Sequence, residues 1–146
     1  MKIPISVLVV IYTAGNEVLL LERADHPGYW QSVTGSLDVS SEPLIEAAAR
    51  ELLEETGIDV SQLPDSALIS MNHSVVYEIY PEWRYRYPPG VVENTEHWFK
   101  LELPDRVPVT LAPKEHTSFR WEPISVASSL CFSPSNKEAI LRLKIT

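Results

Sequence analysis

The feature that most constrains this chain is residues 35–58, GSLDVSSEPLIEAAARELLEETGI. Its alanine- and leucine-rich middle predicts one helix. Ser40 or Ser41 stands where a helix N-cap belongs, Pro43 suits the first turn, and Gly57 suits the left-handed position just past the end. At 100° per residue, Leu44, Ile45, Ala48, Ala49 and Leu52 share one arc, the predicted core face. Glu51 and Glu55 stack at i, i+4 on the edge of that arc, and Glu54 flanks them. Three carboxylates near a helix C-terminus repel one another and oppose the macrodipole, and Arg50 offsets only part of this. A hard divalent cation would remove the penalty and still leave coordination positions for phosphate and water. A solvated acidic helix end is the commoner use of such glutamates, and on these three residues alone it is the favoured reading.

The rest of the chain sets the frame. A length of 146 residues suits one domain, residues 1–146, with one core. The content is 45% hydrophobic and 22% charged, ordinary for a globular protein. A net charge of −8 argues against general nucleic-acid binding, so a polyanionic ligand must be received by local cations. The lone Cys131 excludes an internal disulfide and suits a reducing, cytoplasmic setting. The apolar run at residues 7–11 is far shorter than the roughly 20 residues of a membrane span, and no membrane association is expected.

Residues 4–12 (PISVLVVIY) and 17–23 (EVLLLER) predict two strands joined by a turn at 13–16, a hairpin. Further strands are predicted at 67–80, 93–103 and 116–122, separated by proline-bearing loops at 81–89 and 104–113. Residues 123–130 predict a short helix or turn, and 134–144 a terminal helix. Strands with one helix midway and another at the end indicate an α+β fold.

The block Arg50-Glu51-Leu52-Leu53-Glu54-Glu55-Thr56-Gly57-Ile58, with Glu42 eight residues before Arg50, resembles the signature of the Nudix hydrolases. Six residues separate Gly35 from Glu42 where the family pattern has five, so this loop carries one extra residue within 39–41. The resemblance implies an α/β/α sandwich with a mixed β-sheet between helices, and a Mg²⁺- or Mn²⁺-dependent hydrolase of phosphoric anhydride bonds. It implies that Glu51, Glu54 and Glu55 form the metal-binding set and that Arg50 orients a glutamate through a bidentate link. Glu115, just before a predicted strand, is the candidate for a further carboxylate. The metal set is then Glu51, Glu55 and Glu115, and the general base is Glu54 or Glu115. His97 and His116 read as structural or surface residues.

The likeness extends beyond that block. Residues 29–36, 77–80, 84–90, 94–99 and 133–140 are similar to the bacterial dihydroneopterin triphosphate pyrophosphatases. That likeness implies release of pyrophosphate from dihydroneopterin triphosphate, leaving the monophosphate. It also implies ligand contacts at Lys2, Arg23, Thr34 and Ser135, and a pocket-lining strand at Tyr77, Glu78, Ile79 and Tyr80. Trp30, Tyr77 and Tyr80 offer aromatic surface for a flat pterin, Glu78 an acceptor, and Arg84 and Arg86 further positive charge, while Tyr77 and Tyr80 read equally well as core aromatics and residues 84–87 as a strand with a solvated basic face. Two other functions fit the same residues. One is a Nudix hydrolase of nucleoside triphosphates such as dATP, or of dinucleoside polyphosphates. The other is a Nudix module that binds ligand without catalysis. Oligomeric state is not written in these patterns.

Overall fold

Strand β1 (Ile5–Thr13) is the axis of the sheet, and its side chains are buried on both faces. That is why it reads as an unbroken apolar run rather than an alternating one. Val7, Val9 and Ile11 enter one core, and Leu8, Val10 and Tyr12 enter the other. The computed structural model describes residues 1–145.

A tight turn with Asn16 at φ 62° joins β1 to β2 (Glu17–Arg23), closing the expected hairpin. Residues 29–36, between that hairpin and the helix, form two short strands, β3 (Trp30–Gln31) and β4 (Val33–Ser36). The longer strands β5 (Leu68–Glu78), β6 (Glu93–Leu103) and β7 (His116–Pro123) follow the predicted segments closely. The sheet runs β3-β2-β1-β6-β5, with β4 also on β1 and β7 on β2. β1 and β6 are parallel and every other pairing is antiparallel. Along one edge β1 changes partner, from β4 at Ser6–Val9 to β2 at Tyr12.

Helix α1 (Leu44–Thr56) covers one face through Ala47, Ala48 and Leu52. Helices α2 (Ile124–Leu130) and α3 (Pro134–Leu141) cover the other through Ile124, Ala127, Ala139 and Ile140. This is the helix–mixed sheet–helix sandwich expected from the sequence.

Several local readings change. Helix α1 has Pro43 at its N-cap, with no side-chain hydrogen bond there, so neither Ser40 nor Ser41 caps it. Instead, Arg50 ties Glu42 back to the helix. The buried face is also rotated: Ile45 is exposed, while Glu51 and Glu55 are buried. The C-terminus is as predicted, with Gly57 at φ 77° and its N–H on the Leu53 carbonyl. Strand β5 bulges between Ser70 and Ser74, and the loop after it holds a 3₁₀ turn (Pro81–Arg86). The terminal helix ends at Leu141 and passes into a 3₁₀ turn (Arg142–Ile145).

Leu52 is fully buried between α1 and the sheet. Leu52→Ala is expected to cost about 2–5 kcal/mol in urea unfolding, and a loss below about 1 kcal/mol would contradict this packing.

Candidate active site

Helix α1 lays its acidic edge against β4, and the fit depends on a missing side chain. A Cβ at Gly35 would overlap the Glu51 carboxylate. Glycine therefore lets the carboxylate lie flat against the strand. Arg50 then fixes the group from the other side. Its Nε and Nη2 donate to Glu42 Oε2 and Oε1, each at 3.0 Å, a bidentate fork. Its Nη1 donates to Glu51 Oε1 at 2.8 Å, and its Nη2 also donates to the Ser36 carbonyl at 3.1 Å. Glu54 lies at the outer fringe of this network, 3.4 Å from Nη1, with its carboxylate half exposed. The extra loop residue leaves the clamp intact: Glu42 Oε1 accepts the Asp38 N–H at 2.8 Å and closes the loop on itself.

Glu55, one turn after Glu51, is 1% exposed, and neither of its carboxylate oxygens has a hydrogen-bond partner among the described residues. Burial, reinforced by the neighbouring Glu51 carboxylate, pushes Glu55 well above the ordinary carboxylate range. Burial also raises Glu51, against the pull of Arg50. Such a pair is costly for a fold and calls for a positive partner. One ligand-type atom from each of Glu55, Glu115 and His116 lies within 4.8 Å of the other two.

The hydrogen-bond network sets the role of His116. Arg23 Nη1 donates to Gln31 Oε1, which turns the Gln31 amide nitrogen toward His116 Nε2 at 3.1 Å. That nitrogen can only donate, so Nε2 accepts and the ring proton sits on Nδ1, facing Glu55 Oε1 at 3.7 Å. Burial lowers the His116 pKa to about 4, so the ring is neutral. An N–H cannot ligate a metal. The ligands left are carboxylates, a set that suits a hard divalent cation.

The acidic group sits in a cleft of about 1000 Å³. Lys2, Arg23, Thr34, Tyr77, Glu78, Ile79, Tyr80, Glu115 and Ser135 all line it. Their engagements differ. Arg23 grips Asp25 through a bidentate pair, both bonds at 2.8 Å, and lies over the Trp83 ring at 4.5 Å. Arg86 reaches the same aspartate at 3.2 Å. The two guanidiniums hold Asp25 down at a pKa of about 2. Desolvation and the Arg86 charge lower the Lys2 ammonium. Thr34 Oγ1 donates to the Val7 carbonyl, and Ser135 Oγ donates to Glu96.

Some sequence expectations do not fit this geometry. Glu78 sits at the rim of the cleft, its side chain 75% exposed and its Oε1 accepting from Arg84 at 2.6 Å. Arg84, bonded to Glu78 and to the Ile79 carbonyl, lies outside the cleft lining. Trp30 also lies outside it, packed on the α2/α3 core with Arg120 over its ring. The aromatic wall is instead Tyr80 stacked on Trp83, with Phe132 beside them. Trp83 and Phe132 were not singled out because they sit in loops, where no periodicity marks a direction. Asn94 and Glu96, also in the cleft, belong to the 94–99 stretch of likeness, which assigns neither of them a role.

No helix among the described residues is long and apolar enough to cross a membrane. Cys131 is buried, which raises its thiol pKa to about 12.

Comparison with known proteins agrees with this geometry. The NUDIX domain model matches residues 2–143. The chain is 44% identical over 142 residues to the dihydroneopterin triphosphate diphosphatase of Escherichia coli, covering 95% of this chain and 91% of that one. It is 42% identical over 137 residues to the protein of the same name from Haemophilus influenzae, covering 92% and 84%. The solved structure of the E. coli dihydroneopterin triphosphate pyrophosphohydrolase superposes with a TM-score of 0.89 at 43% identity, over 99% of this chain and 97% of that one. With the family model spanning nearly the whole sequence and the acidic helix edge in place, the chain belongs to the NUDIX hydrolase family.

Proposed function

We propose that the protein is a Mg²⁺-dependent pyrophosphohydrolase that converts dihydroneopterin triphosphate and water to dihydroneopterin monophosphate and pyrophosphate. The observation that carries this reading is the buried, unpartnered Glu55 carboxylate beside Glu51, opening on a cleft with guanidinium groups and aromatic rings. The names of the relatives at 42–44% identity supply the substrate.

Glu51, Glu55 and Glu115 would hold the cation, with Mn²⁺ able to replace Mg²⁺. Bound there, the ion neutralises charge on phosphoryl oxygens and makes water a better nucleophile. The chain's own residues do the rest. Arg50 keeps Glu51 in one orientation through the fork to Glu42. Lys2, Arg23 and Arg86 present positive charge to the phosphate chain, Thr34 lines its path, and Ser135, bonded to Glu96, contacts the ligand elsewhere in the cleft. Tyr80, Trp83 and Phe132 offer faces for a flat heterocycle. Glu54 or Glu115 accepts the proton of the attacking water. Glu54 has the exposure that such an exchange with solvent needs. In the reaction a P–O bond forms to the water oxygen, an anhydride P–O bond breaks, and the pair of electrons leaves with the departing phosphate oxygen. The single cysteine fits a cytoplasmic setting.

Steady-state kinetics with dihydroneopterin triphosphate, dATP and a diadenosine polyphosphate test the substrate. The pterin is expected to give the highest kcat/KM, and preference for an adenine nucleotide would overturn it. Glu55→Gln is expected to lose nearly all turnover while its cation-free thermal midpoint stays level or rises, because a strained buried carboxyl becomes a neutral amide. Substantial residual turnover would remove Glu55 from the metal set. Arg50→Lys cannot form the fork and is expected to weaken cation affinity about 10–100-fold. Unchanged affinity by calorimetry would deny Arg50 its orienting role.

A further inference from the structure

A third buried carboxylate faces the cleft, and none of the chemistry above uses it. Glu96 on β6 is 4% exposed and lines the cavity. Its Oε1 accepts from Trp98 Nε1 at 3.0 Å and from Ser135 Oγ at 2.8 Å. Among the described residues no hydrogen bond engages Oε2. A carboxylate has about four lone-pair sites, and both occupied ones are on Oε1, so Oε2 can accept two N–H groups. Two residues earlier on the same strand face, Asn94 shows a similar surplus. Its Nδ2 donates to Ser6 Oγ at 2.7 Å and to Tyr77 Oη at 3.1 Å, which leaves its buried Oδ1 without a partner. This part of the cleft therefore offers one buried acceptor, Asn94 Oδ1, beside the open Oε2 of Glu96, in a cavity whose wall also carries stacked aromatic rings. Unpaired buried acceptors are expensive, so a ligand that fills them with donors gains affinity and one that cannot is rejected.

We infer that Glu96, seconded by Asn94, reads the ring edge of the substrate and selects heterocycles with two adjacent N–H donors, the 2-amino-4-oxopyrimidine edge shared by pterins and guanine. This rests on the proposed pyrophosphohydrolase reading and assigns the specificity determinant within the same cleft. The ring N–H and the exocyclic amine supply the two donors Oε2 can take. Burial raises the Glu96 pKa, and donors of this kind are what hold a buried carboxylate in its charged form. Adenine presents a ring acceptor beside its amine and leaves one donor unmatched. Glu78, the other acceptor at this end, is exposed and held by Arg84.

Glu96→Gln separates this role from a structural one. The amide oxygen still accepts from Trp98 and Ser135, but a donor now replaces Oε2. Equilibrium binding of neopterin triphosphate, dGTP and dATP is measured on both proteins, with pyrophosphate release followed in parallel. The variant is expected to bind the first two about 10–100-fold more weakly and dATP within about twofold of wild type. Equal weakening of all three, or of none, overturns the assignment. The wild-type protein supplies a second arm that needs no variant: dGTP is expected to bind about tenfold more tightly than dITP, which lacks the 2-amino group. Equal affinities overturn the assignment even if Glu96→Gln fails to fold. Selective binding without pyrophosphate release would defeat the proposed reaction and leave the ring reader standing.

Discussion

The structure turns on a carboxylate pair that a globular fold would ordinarily avoid. Glu51 and Glu55 are both buried, adjacent and on the helix half where the macrodipole is negative. Two features make this tolerable. The Arg50 fork carries positive charge into the group and holds Glu42 and Glu51 on a single guanidinium. The bare backbone at Gly35 gives the Glu51 carboxylate a place to lie. Glu55 has neither aid, and its two oxygens lack hydrogen-bond partners among the described residues. A residue that weakens the fold in this way is the usual mark of a site kept for function.

The sandwich explains how such a pair is held still. β1 is buried on both faces, so α1 packs on a rigid support, and Ala47 and Ala48 let it come close. The sheet also joins the two ends of the cleft. Thr34 and Gly35 on β4 pair with β1, β1 pairs with β6, and β6 carries Asn94 and Glu96. The Gly35 seat of the Glu51 carboxylate and the Asn94 and Glu96 positions are thus registered through three neighbouring strands, which favours precise spacing. The aromatic wall is loop-borne, where shape can vary without disturbing the acidic helix.

Much of this was legible in the residues. Apolar runs and turn signals located β1, β2, β6 and β7 to within about a residue, and Gly57 marked the end of α1, because strand burial and left-handed backbone leave local signatures. The stacking of Glu51 and Glu55 followed from helical geometry alone. What failed was what depends on distant partners. Ser40 and Ser41 looked like caps, but the longer loop set Pro43 at that position. Ile45 looked like core, yet the helix rotates to bury carboxylates instead, an exchange hydrophobicity argues against. Glu96 lies in a stretch of family likeness, but a glutamate on an alternating strand reads as solvated, and only Trp98, Ser135 and the cleft reveal its burial. His116 and Gln31, 85 positions apart, could not be paired without the fold.

The central claim is that the buried carboxylates exist to hold a divalent cation. Anomalous diffraction from crystals soaked in Mn²⁺ tests it most directly. The account predicts one strong peak in contact with carboxylate oxygens of Glu51, Glu55 and Glu115, with His116 outside the coordination sphere. A peak elsewhere, or a Glu55 carboxylate satisfied by protein hydrogen bonds with no ion beside it, would contradict it.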